Sequence, residues 1–364
     1  MLRMMKNSVT HVRPSFFQVP TGSAFCVSGS TQTGYVNYWV VESRISLVAI
    51  KLCFLIPDTD KPWGSSLMRG NQLCEIARRH LGNRFDCATM KMPLLGLGQP
   101  LRSVNSVRQI AWMAACPLDA IYFVTKQCIE ELNPISAEIL KRRAQGVLFD
   151  YVDSNMAKVP MRDADIHLCA SQAQYDYMTR KQRRVSPASV ALLPHGYDCR
   201  VKRCAPATGA VQAIYWGALK NTHIPPAIAR EIFVIDGEVA PSAKILDELS
   251  QYRLHYGVRI ASSGAGKKII FKPLTKAANA AACGANIIIN RDAHDAVDLL
   301  GADYPYLVDA TNDENIIEVF EHAKLGVDGS DWVKARGAMD ALAAQLSPES
   351  IARQLALILR PLTE

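Results

Sequence analysis

The sequence has no Cys-x-x-Cys pair and no run of basic residues interleaved with aromatics. It also has no uncharged apolar stretch approaching the ~20 residues that a membrane-spanning helix needs. Each absence closes off a class of function. The ten cysteines are scattered, and the nearest two, Cys199 and Cys204, fall in a segment read as interdomain, so the spacing argues against a zinc site. Thiols without a pairing framework fit a reducing, cytoplasmic setting. The best membrane candidate, Ile45 to Pro57, is interrupted by Lys51 and reads as a core strand. The start carries Arg3, Lys6 and Arg13 without a continuous apolar core and a small-residue cleavage site, so no secretory leader is expected. Arg180, Lys181, Arg183 and Arg184 form a short isolated cluster that a solvated helix end explains, and nucleic acid is not an expected partner. Two short motifs also fall short. Ser263-Gly264-Ala265-Gly266-Lys267-Lys268 lacks the first glycine and the final Ser/Thr of a phosphate loop. Asp58-Thr59-Asp60 has the paired carboxylates that a hard divalent ion favours, but it precedes Lys61-Pro62, where a turn accounts for it; no metal site is expected.

What is present is enough for two domains of ordinary size. The chain has 364 residues, 49% of them hydrophobic, so two cores can be buried and disorder is not the default. A formal net charge of +7 is modest for this length and fits an anionic small molecule or loose association with acidic lipid.

Residues 1–44 show no steady period and are read as an N-terminal extension of unknown role. From Ile45 the pattern becomes strand then helix. An apolar run to Ile56 is followed by a loop and by a helix carrying Leu73, Ile76 and Ala77, which ends at Leu81-Gly82. Ala120 to Val124 and Val147 to Tyr151 read as strands, with a helix from Ile135 to Arg143 between them. Ile166 to Ala170 and Val190 to Pro194 are two more, separated by a helix from Gln172 onward. Together they make one doubly wound lobe over residues 45–205. A linker from Tyr197 to Gly209 leads to a second lobe, residues 206–346. Its strands are predicted at Val211 to Gly217, Glu231 to Asp236, His255 to Arg259, Ile287 to Asn290 and Tyr306 to Val308. Ser347-Pro348 then opens a final helix, residues 347–364.

The most informative stretch runs from Lys272 to Asn290. Pro273 suits a first helical position, Ala277 to Ala282 favour helix, Gly284 suits the residue just past its end, and Ile287 to Ile289 form a buried strand. Lys272 and Lys276 then sit beside unpaired backbone N–H groups at the positive end of the helix dipole, a corner suited to an anion. Gly217 allows close backbone approach to a phosphate, Lys220 follows it, and Arg259 can supply a bidentate contact. Thr275 and Asn279 belong to the same candidate binding set. Asp150 and Asp153 end a strand where doubly wound sheets place ligands, and His195 follows another strand at the base of the cleft; these three are the candidate catalytic residues.

Asn279-Ala280-Ala281-Ala282-Cys283-Gly284 resembles the Glu-Ala-Met-Ala-Cys-Gly segment of glycosyltransferases with two Rossmann-like lobes, the GT-B fold, especially family 4 and its relatives. Phe149 to Asp153, Ala164 to Ser171, Leu193 to Asp198 and Ile214 to Gly217 agree in the same order, so the resemblance covers Ile45 to the C-terminus. It implies an α/β protein with two Rossmann-like lobes and a cleft between them. It also implies transfer of a sugar from a nucleotide diphosphate-sugar donor to an acceptor hydroxyl, without a metal and with retention. The donor serves as substrate and no separate cofactor is implied; the acceptor is a glycan, a lipid-linked molecule or a protein. A cytoplasmic place, with peripheral contact to the inner face of a membrane, goes with this. One departure stands out: the two family glutamates, eight positions apart, correspond to Phe271 and Asn279. Some relatives carry a lysine-rich start instead, which Lys272-Pro273-Leu274-Thr275-Lys276 resembles. A donor- or partner-binding protein without catalysis and a sugar-nucleotide epimerase of the same architecture are the two alternatives.

Overall fold

The computed structural model describes residues 49–59, 64–96, 101–182, 185–202, 213–237, 243–260 and 268–364. The extension at 1–44, most of the linker, and the glycine-rich part of the 263–268 segment lie outside them. The second of the chain's two units, Val48–Glu364, carries two parallel sheets. In the first, β1 (Ile50–Pro57), β2 (Phe85–Met92), β3 (Ile121–Val124), β4 (Gly146–Asp150), β5 (Ile166–Cys169) and β6 (Val190–Leu192) lie in the order β2-β1-β3-β4-β5-β6. In the second, β7 (Ala213–Gly217), β8 (Ile232–Asp236), β9 (Leu254–Tyr256), β10 (Asn286–Asn290) and β11 (Leu307–Val308) lie in the order β11-β10-β9-β7-β8. The strand order therefore reverses between β1 and β3 in one lobe and between β7 and β9 in the other. Such reversals open crevices at the carboxyl ends of the strands, where ligands bind in this class of fold.

The central strands β3, β4 and β10 are buried at every residue, as continuous apolar runs in two-sided parallel sheets must be. Strand β2 escapes the apolar-run signal because it is an edge strand. Asp86, Ala88, Thr89 and Lys91 are exposed in it, so half of its eight residues face solvent and the apolar run is broken. The helices of the first lobe are α1 (Leu73–Leu81), α2 (Leu101–Ala114), α3 (Lys126–Glu131), α4 (Pro134–Arg143) and α5 (Gln172–Lys181). Of these, α2 and α3 add to the helices expected. Those of the second are α6 (Ala243–Leu249), α7 (Thr275–Cys283), α8 (Ala296–Leu300), α9 (Asp313–Leu325) and α10 (Ser330–Gln345).

Helix α7 is enclosed rather than half exposed: Ala277 through Cys283 are all buried, and α7 packs against α10 and the sheet. Only small side chains let a helix be buried all round at such short range, which is the physical meaning of its alanines. It starts at Thr275, two residues later than the proline suggests, and Leu274 provides no side-chain cap. Its first amides are thus left open. Gly284, at φ 76°, ends it in the left-handed conformation that glycine adopts without strain. The strand expected over His255 to Arg259 stops at Tyr256, and Arg259 instead bridges to Thr222.

After the second lobe the chain runs back. Helix α11 (Pro348–Leu359), capped by Ser347, packs on α1 of the first lobe, and the Gln145 side chain donates to the Leu362 carbonyl at 2.8 Å. Leu355 is fully buried in this contact helix. Leu355→Ala is expected to destabilise the protein by about 2–5 kcal/mol, the cost of a core leucine truncation. A denaturant midpoint shift at constant slope measures it.

Candidate functional site

The chain leaves β1 into a π-helical segment, Ser66–Gln72, of the kind that often marks functional positions. It delivers Arg69 into the core. Arg69 Nε and Nη2 donate to Asp150 Oδ2 and Oδ1, both at 3.0 Å, and Nη1 donates to the carbonyls of Leu193 and Pro194 at 3.0 and 3.1 Å. Asp150 is fully buried by this pair. Its carboxylate is therefore a strut that ties the π-helical segment to the ends of β4 and β6. That corrects the expectation of a catalytic Asp150, since the group is not open to a substrate. Sequence patterns miss Arg69 because its partner lies 81 positions away and nothing local announces the pair.

The carboxyl ends of β7 and β9 face the first turn of α7, and there the cations gather. Lys276 Nζ lies 4.0 Å from the centroid of the Tyr215 ring, is buried, and has no hydrogen-bond partner. Gly217, at φ 154°, passes directly beneath it: a Cβ there would meet Tyr215 Oη at 2.9 Å and Lys276 Cε at 3.2 Å. Burial, reinforced by the charges of Arg259 and Lys272, brings the Lys276 pKa down to about 6. Burial also lowers Arg259, which Asn290 positions by accepting from its N–H at 2.7 Å and donating to its carbonyl at 3.1 Å. Lys272 is lowered by burial and then by Arg259, although its side chain reaches solvent. Three cations thus repel one another around a shared space, and the described carboxylate whose charge acts on two of them, Arg259 and Lys272, is that of Asp153. Lys220, by contrast, sits exposed on a 3-10 turn, Leu219–Asn221, and does not line that space. The turn, not its closeness to Gly217 in sequence, decides where it points.

Asp153 comes from the first lobe. Its φ is 53°, in the left-handed region that aspartate enters more readily than most non-glycine residues, and Lys126 Nζ donates to its carbonyl at 2.8 Å. One carboxylate oxygen, Oδ1, is buried without a partner, and its charge acts on Arg259 and Lys272 in the opposite lobe. Asn279, which the sequence resemblance matches to a glutamate, is buried and accepts from the Asp198 N–H at 2.9 Å. Phe271, matched to the other, packs between Tyr177 and His294 with centroids 5.2 and 5.3 Å away. Both positions join the lobes. Two further contacts do the same: Asn155 bridges to Ile270, and Asp295 accepts from the N–H groups of Gln172 and Ala173 at 2.7 and 3.0 Å, capping α5 from across the cleft.

Two cavities open at these strand ends. The first, about 250 Å³, is lined by Gly217, Thr275, Lys276 and Asn279 from the second lobe, with Trp216 and Tyr256 as aromatic walls and Leu67, Met68 and Arg200 opposite. Four of the expected binding residues therefore meet in one wall, with Arg259, Lys272 and Asp153 close by. His195 belongs to the second cavity, about 230 Å³, on the other side of Pro273-Leu274. It is buried, and burial followed by the Arg69 charge holds its imidazole below the ordinary histidine range. Of the Asp58-Thr59-Asp60 trio, Asp58 lies 3.9 Å from Arg108 and Asp60 is outside the described residues. Among the described residues, no group of three or more His, Cys, Asp or Glu could hold a metal ion, and no helix is long and apolar enough to cross a membrane.

Solved structures superpose on most of this chain. A glycosyltransferase from Rickettsia africae ESF-5 aligns with a TM-score of 0.56 and 10% identity, over 87% of this chain and 99% of its own. HepE from Anabaena, in complex with UDP, gives 0.56 and 13% over 86% and 100%. Sucrose-phosphate synthase from Thermosynechococcus elongatus gives 0.56 and 12% over 86% and 99%. The two parallel-sheet lobes are thus those of the GT-B fold. No family model matches the sequence, and no curated protein matches it significantly.

The depressed Lys276 pKa has a signed consequence. Between about 6 and the ordinary 10.5, the unfolded chain holds a proton on this lysine that the empty folded protein does not. The lysine's penalty is therefore complete below pH 6 and fades as pH rises toward 10.5. Lys276→Met is expected to stabilise the unliganded protein, with a gain over wild type that is largest near pH 6 and shrinks toward pH 10. Denaturant melts of both proteins across that range check it.

Proposed function

We propose that the protein is a glycosyltransferase that moves a sugar from a nucleoside diphosphate donor to an acceptor hydroxyl, with the donor held in the second lobe. The observation that carries this is the Lys276 side chain, whose Nζ is buried without a hydrogen-bond partner at the mouth of β7 and β9. Burial disfavours the charged form of this lysine, and a diphosphate seated beside the open amides of α7 would supply the negative charge that restores its proton. Arg259 and Lys272 stand close enough to share it. The UDP bound to HepE supports a nucleotide of this kind.

In the reaction, negative charge grows on the departing diphosphate. Fixed positive groups in a site shielded from water stabilise that charge without reorganising, which is where such a site gains most of its rate. The cation cluster takes this role without a divalent ion, and retention at the anomeric carbon follows the family resemblance. The acceptor enters between the lobes, and a glycan, lipid-linked or protein hydroxyl in the cytoplasm or at the inner membrane face fits such a cleft. One observation favours a binder without catalysis: Phe271 and Asn279 are engaged in joining the lobes and neither offers a carboxylate to the donor sugar.

Titration calorimetry with UDP, GDP and dTDP sugars, with transfer and hydrolysis followed in the same samples, separates the two. Lys276→Ala is expected to weaken the preferred nucleotide at least tenfold. Lys220→Ala, outside the cavity, should change it by less than twofold. Equal affinity of wild type and Lys276→Ala would remove the donor site from this position.

A further inference from the structure

Lys276 offers a chemistry that holding an anion does not use. It is the second residue of α7, and its Nζ is buried against the Tyr215 ring, 4.0 Å from the centroid, without a hydrogen-bond partner. Tyr215 Oη is already engaged, donating to the Ala218 carbonyl at 2.8 Å. In the empty protein, burial and then the charges of Arg259 and Lys272 make the group an unprotonated amine above a pH of about 6. Such an amine is a nucleophile, as desolvated lysines beside other cations are. Its neighbours have the opposite need. Arg259 and Lys272 are two cations that share the charge of Asp153. Asp198, the one carboxylate lining the first cavity among the described residues, is held by Gln72 and by Arg200, both at 2.6 Å. A free lone pair therefore sits where positive charge is in excess and an anion is wanted.

We infer that Lys276 is a modification site that takes up carbon dioxide as a covalent carbamate. The Nζ lone pair forms the bond to carbon, one C=O electron pair moves onto oxygen, and the nitrogen gives up a proton to bicarbonate in the solvent. The product carries a single negative charge at the first turn of α7, where the open amides and the helix dipole favour an anion. Arg259 and Lys272 answer that charge, which a lysine standing alone in solvent cannot arrange. Carbon dioxide is small, linear and uncharged, so it reaches an amine shielded beside an aromatic ring. The cavity of about 250 Å³ beside Lys276 has room for the new carboxylate, and the absence of a Cβ at Gly217 keeps the lysine stem clear. Only the free amine reacts, so the carbamate forms as pH rises through about 6. The titratable and charged groups around Nζ are Tyr215 on β7, His255 on β9, Arg259, Lys272 and the Asp198–Arg200 pair across the cavity. Burial raises Tyr215 and lowers His255 to about 4, so neither changes charge between pH 6 and 8. The inference stands on Lys276 and these neighbours and goes beyond the donor reading.

The test is carbon-13 NMR of the full chain, free of nucleotide, in labelled bicarbonate at about pH 8, where solvent lysines are still protonated. In parallel samples the adduct is trapped by ethylation with triethyloxonium and located by peptide mass spectrometry. A carbamate resonance distinct from that of the α-amine is expected. It should be absent from Lys276→Ala and Lys276→Arg, present in Lys220→Ala, and lost when the pH is lowered to about 5, below the titration of the amine. Lys272→Gln, a change at an exposed side chain, should raise the half-saturating carbon dioxide concentration at least threefold, with an unchanged near-ultraviolet circular dichroism spectrum showing that the variant is folded. The inference is overturned if saturating carbon dioxide leaves no adduct on Lys276, if the adduct there is no more abundant than on Lys220, or if Lys272→Gln takes up carbon dioxide as wild type does. The nucleotide calorimetry is read separately: an adduct on a protein that binds no nucleotide retires the donor reading and leaves this one standing, and nucleotide binding without an adduct does the reverse.

Discussion

A lysine side chain buried without a counter-ion, so that its charged form is disfavoured, is the constraint on which the rest of this molecule turns. Removing an ion from water costs several kcal/mol unless something answers its charge. Around Lys276 the protein answers with an aromatic face and nothing else, and it adds Arg259 and Lys272 to the same neighbourhood. The fold must be strong enough elsewhere to hold that arrangement. An alanine helix buried on all sides, a glycine passing beneath the lysine stem, and an asparagine that grips the Arg259 backbone at both ends are the means.

The first lobe is organised by a pair of the opposite kind, fully satisfied. Arg69 spends four N–H groups on Asp150 and two carbonyls, and so fastens a π-helical segment to the strand ends that face the cleft. With both charges buried, the pair acts as a rigid fixture. Asp153, three residues past Asp150, is then presented to the cation cluster in a conformation that local preference alone would not choose. The lobes are joined by Asn279, Phe271, Asp295 and Asn155.

Much of this is legible in the residues. Buried parallel strands show as apolar runs because both faces are covered, and β3, β4 and β10 declare themselves that way. The alanines, Gly284 and the lysines near them point to an anion corner without any coordinates. Strand β2 goes unseen because an edge strand with one wet face has no apolar run to detect. Asp150 and Lys220 mislead for a related reason: sequence neighbours suggest a place for each, whereas a distant arginine consumes one and a 3-10 turn carries the other outward.

By itself the sequence determined the two-lobed parallel architecture and the place of the helix start where Lys272 and Lys276 lie, because helix ends, strand periodicity and glycine conformations are local properties. Only the tertiary structure decided which charges are free. Pairing depends on what the fold brings within hydrogen-bond reach, and Arg69 with Asp150, Asp295 with α5, and Lys276 Nζ with no hydrogen-bond partner are separated outcomes of one packing that no single segment encodes.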